Sequence, residues 1–103
     1  MVEVPEITSK QEWHLVLEAA RRKTADLGAS QFPWTVVSAI EGRLGLLGAV
    51  ADSGRAPSLH EREHGMTLGV IAVRSLYGVA PELCRLLLQL ASGFDHWTQL
   101  PDA

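Results

Sequence analysis

Cysteine is nearly absent from this chain of 103 residues, where Cys84 stands alone. A single thiol cannot close an internal disulfide or build a cysteine-rich zinc site. On an apolar helix face it behaves as a small buried hydrophobe. A reducing compartment is the simplest reading. An excess of one charge is missing as well. The net charge is −3, and apart from Arg21-Arg22-Lys23 the cations are scattered. The electrostatic footprint of a nucleic-acid binder is therefore lacking. Long hydrophobic runs are also missing: the longest, around 44–51 and 70–73, fall far short of the roughly 20 residues that span a bilayer. The opening Met1-Val2-Glu3-Val4-Pro5-Glu6 is acidic where a signal peptide is basic, and no apolar stretch follows it. Together these absences lead to the expectation of a soluble cytoplasmic protein, with neither a membrane nor a nucleic acid as partner.

What the chain does have is enough apolar content for a core, 47% hydrophobic residues, and spacing that is helical almost throughout. Ser9 with Glu12 has capping-box spacing, and Trp13, Val16, Leu17, Ala20 and Leu27 then share a face up to a stop at Gly28. Pro33 suits the first turn of a second helix reaching about Ala51, with Val36, Val37, Ile40, Leu44, Leu47 and Val50 apolar. Gly42, Gly45 and Gly48 recur along it. Each costs roughly 1 kcal/mol of helix propensity, so either a neighbouring helix approaches closely or the helix breaks. The stretch 52–58 reads as a loop. Ser58 and Glu61 could form another capping box, starting a short charged turn that Gly65 ends. A third helix is expected from about Met66 to Tyr77, stopping at Gly78. Pro81 opens a fourth, with Leu83, Leu86, Leu87, Leu90, Phe94 and Trp97 on its apolar side. Four amphipathic segments joined by short loops predict an all-α fold. The expected architecture is a small antiparallel bundle of about four helices, as one domain over 1–103.

His60-Glu61-Arg62-Glu63-His64 satisfies the H-E-x-x-H zinc-protease pattern. On a helix both histidines would share a face, Glu61 could activate a metal-bound water, and Glu82 is a candidate third ligand. The surroundings argue otherwise. Arg62 and Glu63 occupy positions that a buried metal helix gives to packing residues, and Pro57 and Gly65 confine the segment to about two turns. A solvated charged turn without metal is the preferred reading. No G-x-S-x-G elbow occurs, Cys84 has no evident base beside it, and 65–69 lacks the G-K-[ST] ending of a phosphate loop. The chain is expected to hold no cofactor and not to be an enzyme. His14 and His96 each adjoin a tryptophan, but adjacent helical residues point apart, so both read as surface or core-edge side chains. Trp13, Trp34, Phe94 and Trp97 read as core anchors, and of these Trp34 has the position to face a partner. Arg74 could pair across the bundle, lie on an exposed stripe, or reach a partner's carboxylate.

From Met66 to Leu87 the chain resembles the immunity proteins paired with type VI secretion effectors that hydrolyse NAD. Those small helical proteins carry T-x-G-x-I-A-V-[KR] and then D-P-E-L. Here Thr67, Gly69, Ile71, Ala72, Val73 and Arg74 match the first part, and Pro81, Glu82 and Leu83 the second, with the same spacing. The stretch 75–80 departs from the pattern. It lacks the acids that family members place after the basic residue and before the proline, and Ala80 loses the carboxylate that would cap the fourth helix. Gly69 and Ala72 read as close-packing residues and Ile71 and Val73 as space-fillers. The resemblance implies a bacterial cytoplasmic inhibitor that binds a cognate effector toxin domain and covers its NAD-binding active site. Glu61, Glu63, His64, Arg74, Tyr77 and Trp34 are the candidate partner-binding residues, chosen on residue type and expected exposure. The other reading is a helical scaffold or regulatory module. It would self-associate or dock on an unrelated partner through the glycine strip or the leucine-rich fourth helix.

Overall fold

Ser9 starts the first helix. Its backbone is extended (φ −155°, ψ 162°) and its hydroxyl accepts from the Glu12 amide at 3.1 Å, satisfying one of the donors that a helix start leaves unpaired. The Glu12 carboxylate takes the Thr8 hydroxyl (3.0 Å). In the computed structural model, which describes residues 6–30 and 32–102, four α-helices follow in order. They are α1 Lys10–Ala29, α2 Trp34–Asp52, α3 Leu59–Ile71, prolonged by a π-helical turn Ala72–Leu76, and α4 Pro81–Asp95. A 3-10 turn, Trp97–Gln99, closes the series. The expected all-α bundle is what forms.

Each helix runs antiparallel to the next. Gly28 meets Val37, and Gly48 meets Leu17 and Arg21, at opposite ends of the α1–α2 pair. Lys23 reaches Glu82, and Trp13 Nε1–H donates to the Leu90 carbonyl (3.0 Å), along α1 and α4. Gly65 meets Phe94, and the Cys84 thiol donates to the Ala72 carbonyl (Sγ–O 3.4 Å), along α3 and α4. α1 and α3 each pack on α2 and α4. The result is an up-down-up-down bundle with one continuous core drawn from all four helices. Trp13, Ile40, Leu44, Leu68, Leu87 and Phe94 lie at its centre. Burial raises the Cys84 thiol, so it stays protonated and serves as a donor.

Three expectations change. First, α1 does not stop at Gly28. It runs to Ala29, and the Ser30 amide and hydroxyl both return to the Leu27 carbonyl (3.1 and 2.7 Å). Second, the glycine strip on α2 is not covered along its length. A β-carbon at Gly42 or Gly45 would meet nothing within 4 Å, whereas at Gly48 it would lie 2.6 Å from the Arg21 guanidinium. A three-residue step falls about 60° short of a full helical turn, so only one of the glycines can face α1. The helix is nonetheless continuous.

Third, the charged turn and the third helix are one element. Ser58 and Glu61 form the complete capping box, and the helix passes through Gly65 without interruption. Gly65 is buried against the Phe94 ring. That contact, with the packing of α3 on α4 around it, outweighs the local cost of a mid-helix glycine.

α2 is the one described helix long and apolar enough to cross a membrane by length and composition, with a mean hydropathy of 1.2 over its window. Counting uninterrupted apolar runs understated it. In the bundle its Val37, Ile40, Leu44, Leu47 and Val50 are buried in the core.

Candidate partner interface

The inner side of α3 and its π turn is made by Gly65, Leu68, Gly69, Ala72 and Leu76, all buried. Small residues dominate here because α4 lies close. The positions of Gly69 and Ala91 leave a β-carbon 3.6 Å of room. The outer side follows from the same periodicity. Leu59, Met66, Val70, Val73 and Tyr77 stand exposed, from 48% at Val70 to 68% at Leu59. From Leu59 through Glu63 and Met66 to Val70 they are spaced at intervals of four, three and four residues, the spacing that keeps side chains in a line along an α-helix, and Val73 and Tyr77 continue the exposed apolar surface on and just past the π turn. A solvent-facing helix normally gives these positions to polar residues. An exposed apolar row on a bundle with a filled core is a candidate binding surface.

The residues chosen from sequence fall into separate places. Glu63 and Tyr77 belong to this exposed row and Arg74 adjoins it, all three exposed. Arg74 has no ion-pair partner among the described residues. Of the open alternatives for it, pairing across the bundle is therefore not the one realised among the described residues. His64 is half-buried at its flank, its ring 4.9 Å from that of His60. Trp34 is on a different element. It is 77% exposed at the start of α2, so it anchors no core, and the antiparallel topology sets it at the same end of the bundle as Tyr77.

Glu61 belongs to the helix cap. Its carboxylate is forked by the Arg55 guanidinium (Nη1–Oε1 and Nη2–Oε2, both 2.6 Å) and accepts the Ser58 amide at 2.9 Å. The Arg55 hydrogen bonds first, and the Ser58 amide second, pull its carboxyl down to about 2 from the usual 4.5.

These contacts also separate the groups of the H-E-x-x-H pattern. Although the histidines share a face, Glu61 is committed to Arg55 and Ser58, and Glu82 pairs with Lys23 on α1 at 2.8 Å. Among the described residues no three His, Cys, Asp or Glu side chains converge on one point. The Lys23–Glu82 pair instead borders an open cleft of about 460 Å³ between the end of α1 and the start of α4.

The histidine beside Trp13 is half-buried at the core edge, as expected, but it does not point away from its neighbour. The His14 ring lies edge-on to both Trp13 (5.4 Å) and Trp97 (6.0 Å). The 3-10 turn after α4 is what carries Trp97 there.

Sequence reasoning missed Leu59, Met66, Val70 and Val73 as surface residues. Val73, read as a space-filler, is 51% exposed. The signal was the four-three spacing, which becomes visible only when the segments on either side of Gly65 are read as one helix. Of the residues carrying the resemblance, Gly69 and Ala72 pack inward, while Thr67, Val73 and Arg74 face out. Ala80 at the start of α4 supplies no side-chain cap. No protein-family model, curated protein or solved structure matches the chain.

Proposed function

We propose that this chain is an immunity protein without catalytic activity. It binds the toxin domain of a cognate secreted effector in the cytoplasm and blocks that domain's NAD-binding active site. The observation that carries the reading is the exposed apolar surface of Met66, Val70, Val73 and Tyr77, with the charged Glu63 and Arg74 beside it; the four apolar residues lie on the segment that resembles the immunity family. Apolar side chains supply the buried centre of such an interface. Tyr77 and Arg74 are the residue types that act as anchors. Exposed charges at the edge guide association and fix orientation. Inhibition is steric, so it requires no catalytic group on this chain.

Co-expression with the protein encoded by the neighbouring gene tests the reading. Restored growth and a stable complex support it; persistent toxicity without a complex overturns it. A second reading, a helical interaction module, is favoured by the uncovered glycines Gly42 and Gly45 on α2. That reading places the partner on α2, and an Ala49→Arg substitution on the exposed side of that helix would abolish binding.

A further inference from the structure

The histidines of the H-E-x-x-H pattern keep one property after its base and its third ligand are committed elsewhere. His60 and His64 stand four residues apart at the start of α3, well ahead of the π turn, so their side chains meet on one face. Their ring centres lie 4.9 Å apart. A metal ion about 2.1 Å from one nitrogen of each imidazole, at an angle of roughly 90–109°, sets the ring centres about 4.6–5.3 Å apart. The pair is therefore spaced for two-point chelation without any movement of the backbone.

The surroundings favour a cation there. The Glu63 carboxylate lies 3.9 Å from His60 Nδ1. A carboxylate on that side favours the tautomer with its proton on Nδ1, which leaves the Nε2 lone pair for a metal. The two arginines nearest in sequence are both held by acids. Arg55 is forked on Glu61, and Arg62 is bound to Asp95 at 3.3 Å. The Ser58–Glu61 capping box fixes the first turn, so the helix that spaces the histidines is formed without a metal. The His60 side chain is 81% exposed and His64 half-buried, so an ion reaches both from solvent.

We propose that His60 and His64 chelate a single late first-row divalent metal ion, of the Ni²⁺, Cu²⁺ and Zn²⁺ group that imidazole suits, on the surface of α3. Among the described residues no three His, Cys, Asp or Glu side chains converge, so water fills the remaining positions and the ion exchanges readily. The site is not hydrolytic, because Glu61 is committed to Arg55 and Ser58. Chelation across one helical turn requires the helix, so the ion stabilises the folded chain. The site does not depend on the immunity reading, because both ligands belong to this chain.

Isothermal titration of the full chain, free of any affinity tag, with NiCl₂ and separately with ZnCl₂ at about pH 7.5 tests the proposal. The expected result is a single ion bound per chain. His60→Ala or His64→Ala should each weaken binding at least about tenfold, since either change turns a two-point contact into a one-point contact. His96→Ala, an exposed histidine on another element, should leave it unchanged. The ion should also raise the urea midpoint of the wild type and not that of His60→Ala, with circular dichroism checking that the variants keep their helices. No binding of either ion up to about 1 mM overturns the proposal. So does binding that the two histidine changes leave intact, or an ion that binds without shifting the midpoint.

Discussion

Gly65 lies against the ring of Phe94: a β-carbon on the glycine would sit 3.1 Å from Phe94 Cδ2. This contact joins the charged stretch 59–64 to the apolar stretch that follows, so that α3 is one helix with one outer face. Phe94 cannot retreat, because it is fully buried and stacks on Trp13 with ring centroids 6.0 Å apart. Gly65→Leu should therefore destabilise the bundle by about 2 kcal/mol or more through overpacking, seen as a lower urea midpoint. An unchanged midpoint would mean that α3 and α4 are not packed here as described.

Gly93 makes the complementary case on α4. A β-carbon there would lie 2.8 Å from Trp13 Cδ1, and Trp13 is held by its bond to the Leu90 carbonyl. Gly93→Ala should lose about 1–3 kcal/mol despite alanine's better helix propensity. Gly45→Ala, in open space, should gain roughly 0.5–1 kcal/mol. Chemical denaturation of the two variants side by side checks the opposite signs.

The pattern of legible and illegible features follows from these contacts. The helices, their starts at Ser9, Ser58 and Pro81, and the core faces were readable because they rest on local caps and periodicity. The continuity of α3 was not, because it depends on Phe94, 29 residues away along the chain. Without that continuity the outer stripe could not be seen. Glu61 was chosen for its charge, and nothing in the local sequence showed that Arg55 would occupy both of its oxygens. Trp34 reads first as a core anchor, and only its place just after a loop hints at the exposure it has at the start of α2.

The Glu61 clamp gives a pH dependence with a definite sign. Its folded carboxyl titrates near 2 against an ordinary value of 4.5. The unfolded chain therefore binds the extra proton first on acidification. The stabilisation is fully present above about 4.5 and fades as pH falls toward 2. Glu61→Gln keeps an acceptor for the capping box but removes the charge. Its acid limb should be shallower than that of the wild type, with a residual slope from Glu82, which Lys23 also holds below the usual range. Urea midpoints measured from pH 7 to about 2.5 decide it; identical limbs would remove the Arg55–Glu61 pair from the account.

Ser58→Ala isolates the cap from the charge. The hydroxyl accepts the Glu61 amide at 3.2 Å, and its loss should cost about 1 kcal/mol in thermal or urea unfolding. A helix start that tolerates the change without loss would not depend on the box.

The most direct test of the proposed function measures the affinity of the purified protein for the toxin domain encoded beside it, for wild type, Arg74→Glu and Ala49→Arg. Expected is a complex that Arg74→Glu weakens at least about tenfold and Ala49→Arg leaves unchanged. No complex with the wild type, or one lost on Ala49→Arg and indifferent to Arg74→Glu, would contradict it.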